Sequence, residues 1–304
     1  MSPFHRYLTE EVALDHVDGH ISRREALRRL GMLGLTASAG AALITACGGD
    51  DGASQATPSS SASTPPSAAP VVSPKPLATE AITFPGAAGG TLQGAWASAA
   101  GEPRGAVLVI HENKGLTDHI RSVAGRFAAS GYSALALDLL SAEGGTASFS
   151  DPGALTAALG KVPLERFVAD MRAGVGELSR RAPGRKLGAV GFCFGGGMVW
   201  SLLGSGEARL SAAVPFYGPM PDGSKFAGAD AAVLAIYAEQ DDRVNASRAA
   251  ATAALQQAAL THEVVTFPGA DHAFFNDTGQ RYSQTAAVSA YQRVMAWFDR
   301  HLAA

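Results

Sequence analysis

The chain has 304 residues, 47% of them hydrophobic, with 24 Lys and Arg against 27 Asp and Glu and a formal charge of −3. This near balance, with the basic residues scattered, gives no electrostatic case for a nucleic-acid partner. Two cysteines, Cys47 and Cys193, exclude a disulfide-built scaffold even in an oxidising compartment.

The first 47 residues read as a leader and not as part of a catalytic domain. Arg23 and Arg24 stand in a polar stretch, and residues 31–46 carry no charge but are only modestly hydrophobic. Such a stretch is short for a membrane span and suits a signal segment, and the paired arginines before it resemble a twin-arginine export signal. Ile44-Thr45-Ala46-Cys47 resembles a bacterial lipobox, which makes Cys47 the candidate for lipidation. The alternative is an ordinary cleaved signal in which that cysteine is incidental. Both readings place the mature protein outside the cytoplasm. The first makes it a lipoprotein whose sole membrane contact is the anchor. Residues 48–76 are dominated by Ser, Ala, Thr, Pro and Gly. They lack the large apolar side chains that would offset ordering entropy, so a disordered tether is expected there.

Residues 77–304 suit one α/β domain. Strands are predicted over 81–84 and 91–96, joined by a glycine turn, then over 106–110. A helix covers 119–129, a strand 134–137, a glycine-rich crossing loop 141–152 and a helix 164–179. The strand 187–190 leads into Gly191-Phe192-Cys193-Phe194-Gly195-Gly196-Gly197 and a helical stretch, 198–203. Strands over 212–216, 233–238 and 263–267 follow, with helices over 247–258 and 285–302. Repeated strand–helix units imply a mainly parallel central sheet with helices on both faces. Ligand-facing residues should then emerge where strands end, as His111, Glu112, Cys193, Asp241 and His272 do.

The glycine-flanked cysteine has the pattern of a nucleophile elbow, with cysteine where serine is more usual. A thiol there sits beside unpaired helix N–H groups, which favour a thiolate. Asp241 follows after 48 residues and His272 after a further 31. The order nucleophile, acid, histidine is that of the α/β-hydrolase arrangement. Cys193 is the candidate nucleophile and His272 the base. Asp241 is the candidate orienting acid, and its neighbour Asp242, which could instead cap the next helix or pair with Arg243, is the rival. The backbone N–H groups of Phe194 and Asn113 are the candidate oxyanion donors. Glu112, at the strand end, could be solvated or could face the thiol. The domain histidines are dispersed, no metal-ligand cluster is legible, and no dinucleotide-binding fingerprint appears.

From about residue 82 to the C-terminus the chain resembles the dienelactone hydrolase (carboxymethylenebutenolidase) family. The matching motifs are His111-Glu112-Asn113-Lys114-Gly115-Leu116, the cysteine elbow, Asp241, Phe216-Tyr217-Gly218, His272, and the tail through Asn276 and Tyr282 to Trp297-Phe298. The resemblance implies an α/β-hydrolase fold, a Cys-His-Asp triad and hydrolysis of small esters or lactones without a cofactor or metal. It also implies that Glu112 meets the resting thiol and helps to form the thiolate, and that Tyr217 borders the pocket. Leu140, Ala142, Phe274 and Asn276 are further pocket candidates. Ala142 and Asn276 stand where the family places carboxylate-binding arginines, so no strong preference for anionic lactones is expected. Acyl transfer by the same residues, and a non-catalytic binding protein on a hydrolase scaffold, are the competing classes. The domain is expected to be monomeric.

Overall fold

A computed structural model describes residues 3–47, 73–87 and 89–303. The expected tether therefore lies outside the described residues except at 73–76. The strands are β1 (Glu80–Pro85), β2 (Thr91–Ala97), β3 (Gly105–Ile110), β4 (Tyr132–Asp138), β5 (Leu187–Phe192), β6 (Leu210–Phe216), β7 (Ala232–Ala238) and β8 (His262–Phe267). They form one sheet in the order β1-β2-β4-β3-β5-β6-β7-β8. The β1–β2 and β2–β4 pairs are antiparallel, and the other five are parallel. Side-chain composition explains the positions. β3, β4, β5 and β7 are buried at every residue, as strands covered on both faces must be. The two ends of the sheet fall to β1, whose exposed and buried residues mix, and to β8.

Helices cover both faces. In chain order they are α1 (Pro3–Val17), α2 (Arg23–Met32), α3 (Ala37–Cys47), α4 (Asp118–Ala129), α5 (Pro152–Lys161), α6 (Leu164–Arg181), α7 (Phe194–Gly204), α8 (Asp242–Asn245), α9 (Arg248–Gln257) and α10 (Gln284–His301). On α6, Phe167, Met171, Val175 and Leu178 are buried, a three-to-four-residue recurrence that turns one stripe toward the sheet. Phe127 of α4 packs against Tyr291 and Phe298 of α10, and Phe167 of α6 meets Phe194 of α7 edge-on.

Two features were not read from the sequence. First, residues 153–161, beyond the crossing loop and assigned to no element, form most of helix α5. Asp151 caps it by accepting from the N–H groups of Gly153 and Ala154, and Pro152 opens it, a start signal the glycine-rich composition obscured. Second, residues 3–47, read as a leader, form α1, α2 and α3 and pack on the domain. Phe4, Tyr7, Leu8, Val12 and Ala13 are buried, Phe4 meets Phe194 edge-on at 6.0 Å, and Arg28 pairs with Asp151 at 2.5 Å. Among the described residues, no helix is long and apolar enough to cross a membrane.

Candidate active site

β5 ends at Phe192, α7 begins at Phe194, and Cys193 at the corner has φ 56° and ψ −119°. A positive φ at a non-glycine residue costs on the order of 1–3 kcal/mol and must be held by its surroundings. Here the Cys193 N–H donates to the Phe216 carbonyl at 3.1 Å, and its own carbonyl accepts from Gly196 at 2.9 Å. Glycine is required on both sides. A Cβ on Gly191 would lie 2.1 Å from the Gly195 carbonyl oxygen, and one on Gly195 would lie 2.4 Å from that of Ile110. The described loop and side-chain hydrogen bonds use neither the Phe194 nor the Asn113 N–H.

His272, in the loop after β8, donates from Nδ1 to the Asp241 carboxylate at 2.5 Å. The other Asp241 oxygen accepts from the Val244 N–H at 3.2 Å and caps α8. Asp242 opens α8 and is exposed, so the two adjacent carboxylates take opposite sides of the turn. Cys193 and His272 each present one donor atom, together with Glu11, in a group spanning no more than 4.8 Å. Nε2 of His272 has no hydrogen-bond partner.

The leader supplies what the sequence did not lead one to expect at this point. The Tyr7 hydroxyl lies 3.1 Å from the Cys193 Sγ. Glu11 Oε1 lies 3.5 Å from His272 Nε2, and Glu11 also pairs with Arg243, whose guanidinium lies over the Tyr7 ring at 4.1 Å. Asp241 therefore holds one imidazole nitrogen while Glu11 is the acid grouped with both the thiol and the other nitrogen. Burial opposes a charged imidazole, but the Glu11 and Asp241 carboxylates, with Cys193, carry His272 well above its usual range. Burial likewise opposes the Asp241 carboxylate, yet His272 keeps it below its usual range. Among the described residues Arg243 pairs with Glu11 and not with Asp242. The signal for this arrangement was present. Phe4, Tyr7, Leu8 and Val12 recur at three and four positions along one helix face, but a leader assignment discounted it.

Glu112 departs from its expected contact. It is 5% exposed and lines the same cavity as Cys193, but its Oε2 accepts from the Asn276 amide at 2.6 Å, and its Oε1 is buried without a partner. The thiol's hydrogen bond goes to Tyr7 instead. The strand end is fixed by His111, whose Nε2 accepts from the Leu139 N–H at 3.1 Å, so that Nδ1 donates to the Glu112 carbonyl at 2.6 Å.

The cavity over Cys193 holds about 400 Å³, and Glu11, Asp15, Glu112, Lys114, His272, Asn276 and Arg281 are among its walls. Of the five expected pocket residues, Asn276 alone lines it. Leu140 is fully buried and Ala142 is exposed on a short turn. Phe274 is buried against Phe216, Tyr217 and Phe267. Tyr217, at φ 33°, sits behind the site with its ring edge-on to His272 at 5.2 Å. Lys114 and Arg281 on the wall put cationic groups near the thiol, at positions other than 142 and 276.

Glu11, Cys193 and His272 are the one group of three side chains among the described residues that could hold a metal ion. No such cluster is legible in the sequence, because Glu11 lies 182 positions before Cys193. Arg243 already neutralises Glu11, and a guanidinium beside the carboxylate opposes a second cation there.

The sequence model of the "Dienelactone hydrolase family" matches residues 92–302. The chain belongs to the dienelactone hydrolase family. A protein of Escherichia coli strain K12 named "Putative carboxymethylenebutenolidase" is 31% identical over 213 residues, covering 66% of this chain and 78% of its own. One of the same name from Saccharolobus solfataricus is 30% identical over 236 residues, covering 65% of this chain and 90% of its own. Among solved structures, one titled "Putative Dienelactone Hydrolase", from Klebsiella pneumoniae, superposes with a TM-score of 0.64 at 27% identity. It covers 73% of this chain and 98% of its own. The sheet flanked by helices on both faces is accordingly the α/β-hydrolase fold. Membership of the dienelactone hydrolase family and the grouped Cys193, His272 and acidic side chains together support a thiol-hydrolase type of mechanism.

Proposed function

We propose that this protein hydrolyses carboxylic esters or lactones through a thioester on Cys193. The observation that carries the reading is the thiol at a strained strand–helix corner, grouped with a histidine whose far nitrogen is held by Asp241. His272 in its neutral form takes the thiol proton at Nε2 as Sγ bonds to the acyl carbon. The N–H groups of Phe194 and Asn113 receive the oxyanion. Collapse breaks the acyl–oxygen bond, and the leaving oxygen takes the proton from His272. Water then gives a proton to His272 as it attacks the thioester, the departing sulfur takes that proton from His272, and the carboxylic acid product ionises in solvent. Glu112 lies on the cavity wall with one free carboxylate oxygen, placed to accept a hydrogen bond from the substrate or the thiol once Tyr7 is displaced. No step uses a cofactor.

The testing experiment is intact-mass and peptide analysis after brief exposure to activated esters and lactones. An acyl adduct on the Cys193 peptide, absent from Cys193→Ala protein, is expected. Normal turnover by Cys193→Ala would remove the thiol mechanism. Product analysis with a competing alcohol or amine separates hydrolysis from acyl transfer.

We also propose export, with lipidation at Cys47 as the anchor and a monomeric catalytic domain. Arg23-Arg24, the uncharged stretch 31–46 and Ile44-Thr45-Ala46-Cys47 support this reading.

A further inference from the structure

We propose that helix α1 is an intramolecular inhibitor, keeping the site latent in the full chain until the amino-terminal helices withdraw or are removed. The inference rests on the reading of Cys193 and His272 as the reacting pair.

Tyr7, Glu11 and Asp15 are spaced by four residues, which puts them on one face of the helix, and Asp18 follows its end. Each meets a group of the site. Tyr7 bonds the Sγ of Cys193. Glu11 pairs with Arg243 and stands 3.5 Å from Nε2 of His272. Asp15 and Asp18 pair with Arg281 on the cavity wall at 3.4 and 2.5 Å.

The contacts block the reaction in two ways. An acyl carbon must come to roughly 3–3.5 Å from the sulfur before it can react, and the Tyr7 hydroxyl holds a position 3.1 Å away. Cys193 is left only 3% exposed. Glu11 also stands 3.5 Å from Nε2 of His272, the nitrogen that must exchange a proton with the sulfur, and so competes with the thiol for it.

The face is built to receive the helix. A Cβ on Gly197 of α7 would lie 2.7 Å from the Phe4 ring, so glycine there makes room for Phe4. One on Gly160 of α5 would lie 2.9 Å from a Leu33 methyl. Glu11 supplies the paired carboxylate of Arg243, which is largely buried. Because α1 belongs to the same chain, it competes at an effective concentration of about millimolar. A dilute substrate is therefore at a disadvantage while the helix is tethered.

The test follows alkylation of the Cys193 peptide in the full chain by iodoacetamide, with mass spectrometry separating it from Cys47. The double variant Tyr7→Phe/Glu11→Lys is expected to react about tenfold or more faster than wild type, with a cooperative thermal melt showing that the fold is kept. Tyr7→Phe alone removes one hydroxyl and keeps the ring, so it decides the matter if the double variant fails to fold. A rise of about threefold or more is expected from the lost hydrogen bond. Equal rates in wild type and in every folded variant would overturn latency. Because alkylation needs no turnover, faster alkylation without ester cleavage would sustain latency and remove the hydrolase reading. Ester cleavage by wild type as fast as by the double variant would sustain that reading and overturn latency.

Discussion

The hydroxyl of Tyr7 lies 3.1 Å from the sulfur of Cys193, 186 positions later in the chain. A residue from a segment that reads as an export leader thus makes the one hydrogen bond of the nucleophile's thiol among the described residues. Every measurement on the full chain reports the site with that contact in place, which bears on each prediction below.

Cys193 is expected to be indispensable. Cys193→Ala should lose turnover and the acyl adduct together. Cys193→Ser should retain less than about 1% of wild-type kcat, because a hydroxyl is a far weaker acid than a thiol beside the same base. Steady-state rates on a p-nitrophenyl ester, with the adduct mapped by mass spectrometry, make the check.

Asp241, Asp242 and Glu11 should separate by kinetics. Asp241→Asn keeps the shape but favours the wrong imidazole tautomer, and a loss of about 10²–10⁴ in kcat is expected. Asp242 is exposed, so Asp242→Asn should stay within about twofold, as surface changes usually do. Glu11→Gln should raise the rate or leave it unchanged. A fall with Glu11→Gln comparable to that with Asp241→Asn would make Glu11 the working acid of the triad.

Stability should have an optimum in mildly acid solution. Burial opposes ionisation of Asp241 and of Glu11, but His272 holds both below their usual carboxylate values. Their contribution is therefore present above the usual carboxylate range and is lost as pH falls through the lowered folded values. His272 is shifted the other way, well above 6.5 despite burial. Its contribution is complete below 6.5 and is lost as pH rises through the raised folded value. Thermal midpoints should peak between about pH 4.5 and 6.5 and fall on both sides. Glu11→Gln should flatten the alkaline limb, and a wild-type midpoint that climbs steadily to about pH 9 would contradict this assignment.

Asn276→Ala should destabilise the folded chain by roughly 1–3 kcal/mol, because it leaves the buried Glu112 carboxylate with no donor on either oxygen. Urea or thermal unfolding measures it. If Asn276 were simply a wall residue, the cost would fall below about 0.5 kcal/mol.

Export is tested in cells. Full-length protein should fractionate with membranes, Cys47→Ala should be released, and Arg23→Lys with Arg24→Lys should accumulate as intracellular precursor. Wild type found soluble and unlipidated would count against the anchor.

The amino-acid sequence by itself determined the sheet-and-helix order and the chemistry of its main site. Short, wholly apolar, β-branched runs such as Val107 to Ile110 read as buried strands. Gly191 and Gly195 around Cys193 announce a turn too tight for side chains, and the spacing to Asp241 and His272 supplies acid and base in order. These signals are local, carried by neighbours along the chain. What only the tertiary structure decided depends on which distant groups meet. Asp241 and Asp242 are chemically identical neighbours, and the direction of one turn sends the first to His272 and the second to solvent. Asn276 was read by position as a missing arginine, yet it serves Glu112 from 164 residues away. Leu140, Ala142 and Phe274 lie near the site in sequence terms but face the core or the solvent. Tyr7 and Glu11 carry no motif at all. Their roles arise because an amphipathic helix finds the one face where Arg243, His272 and the thiol wait together, and side-chain periodicity names a buried face without naming its partner.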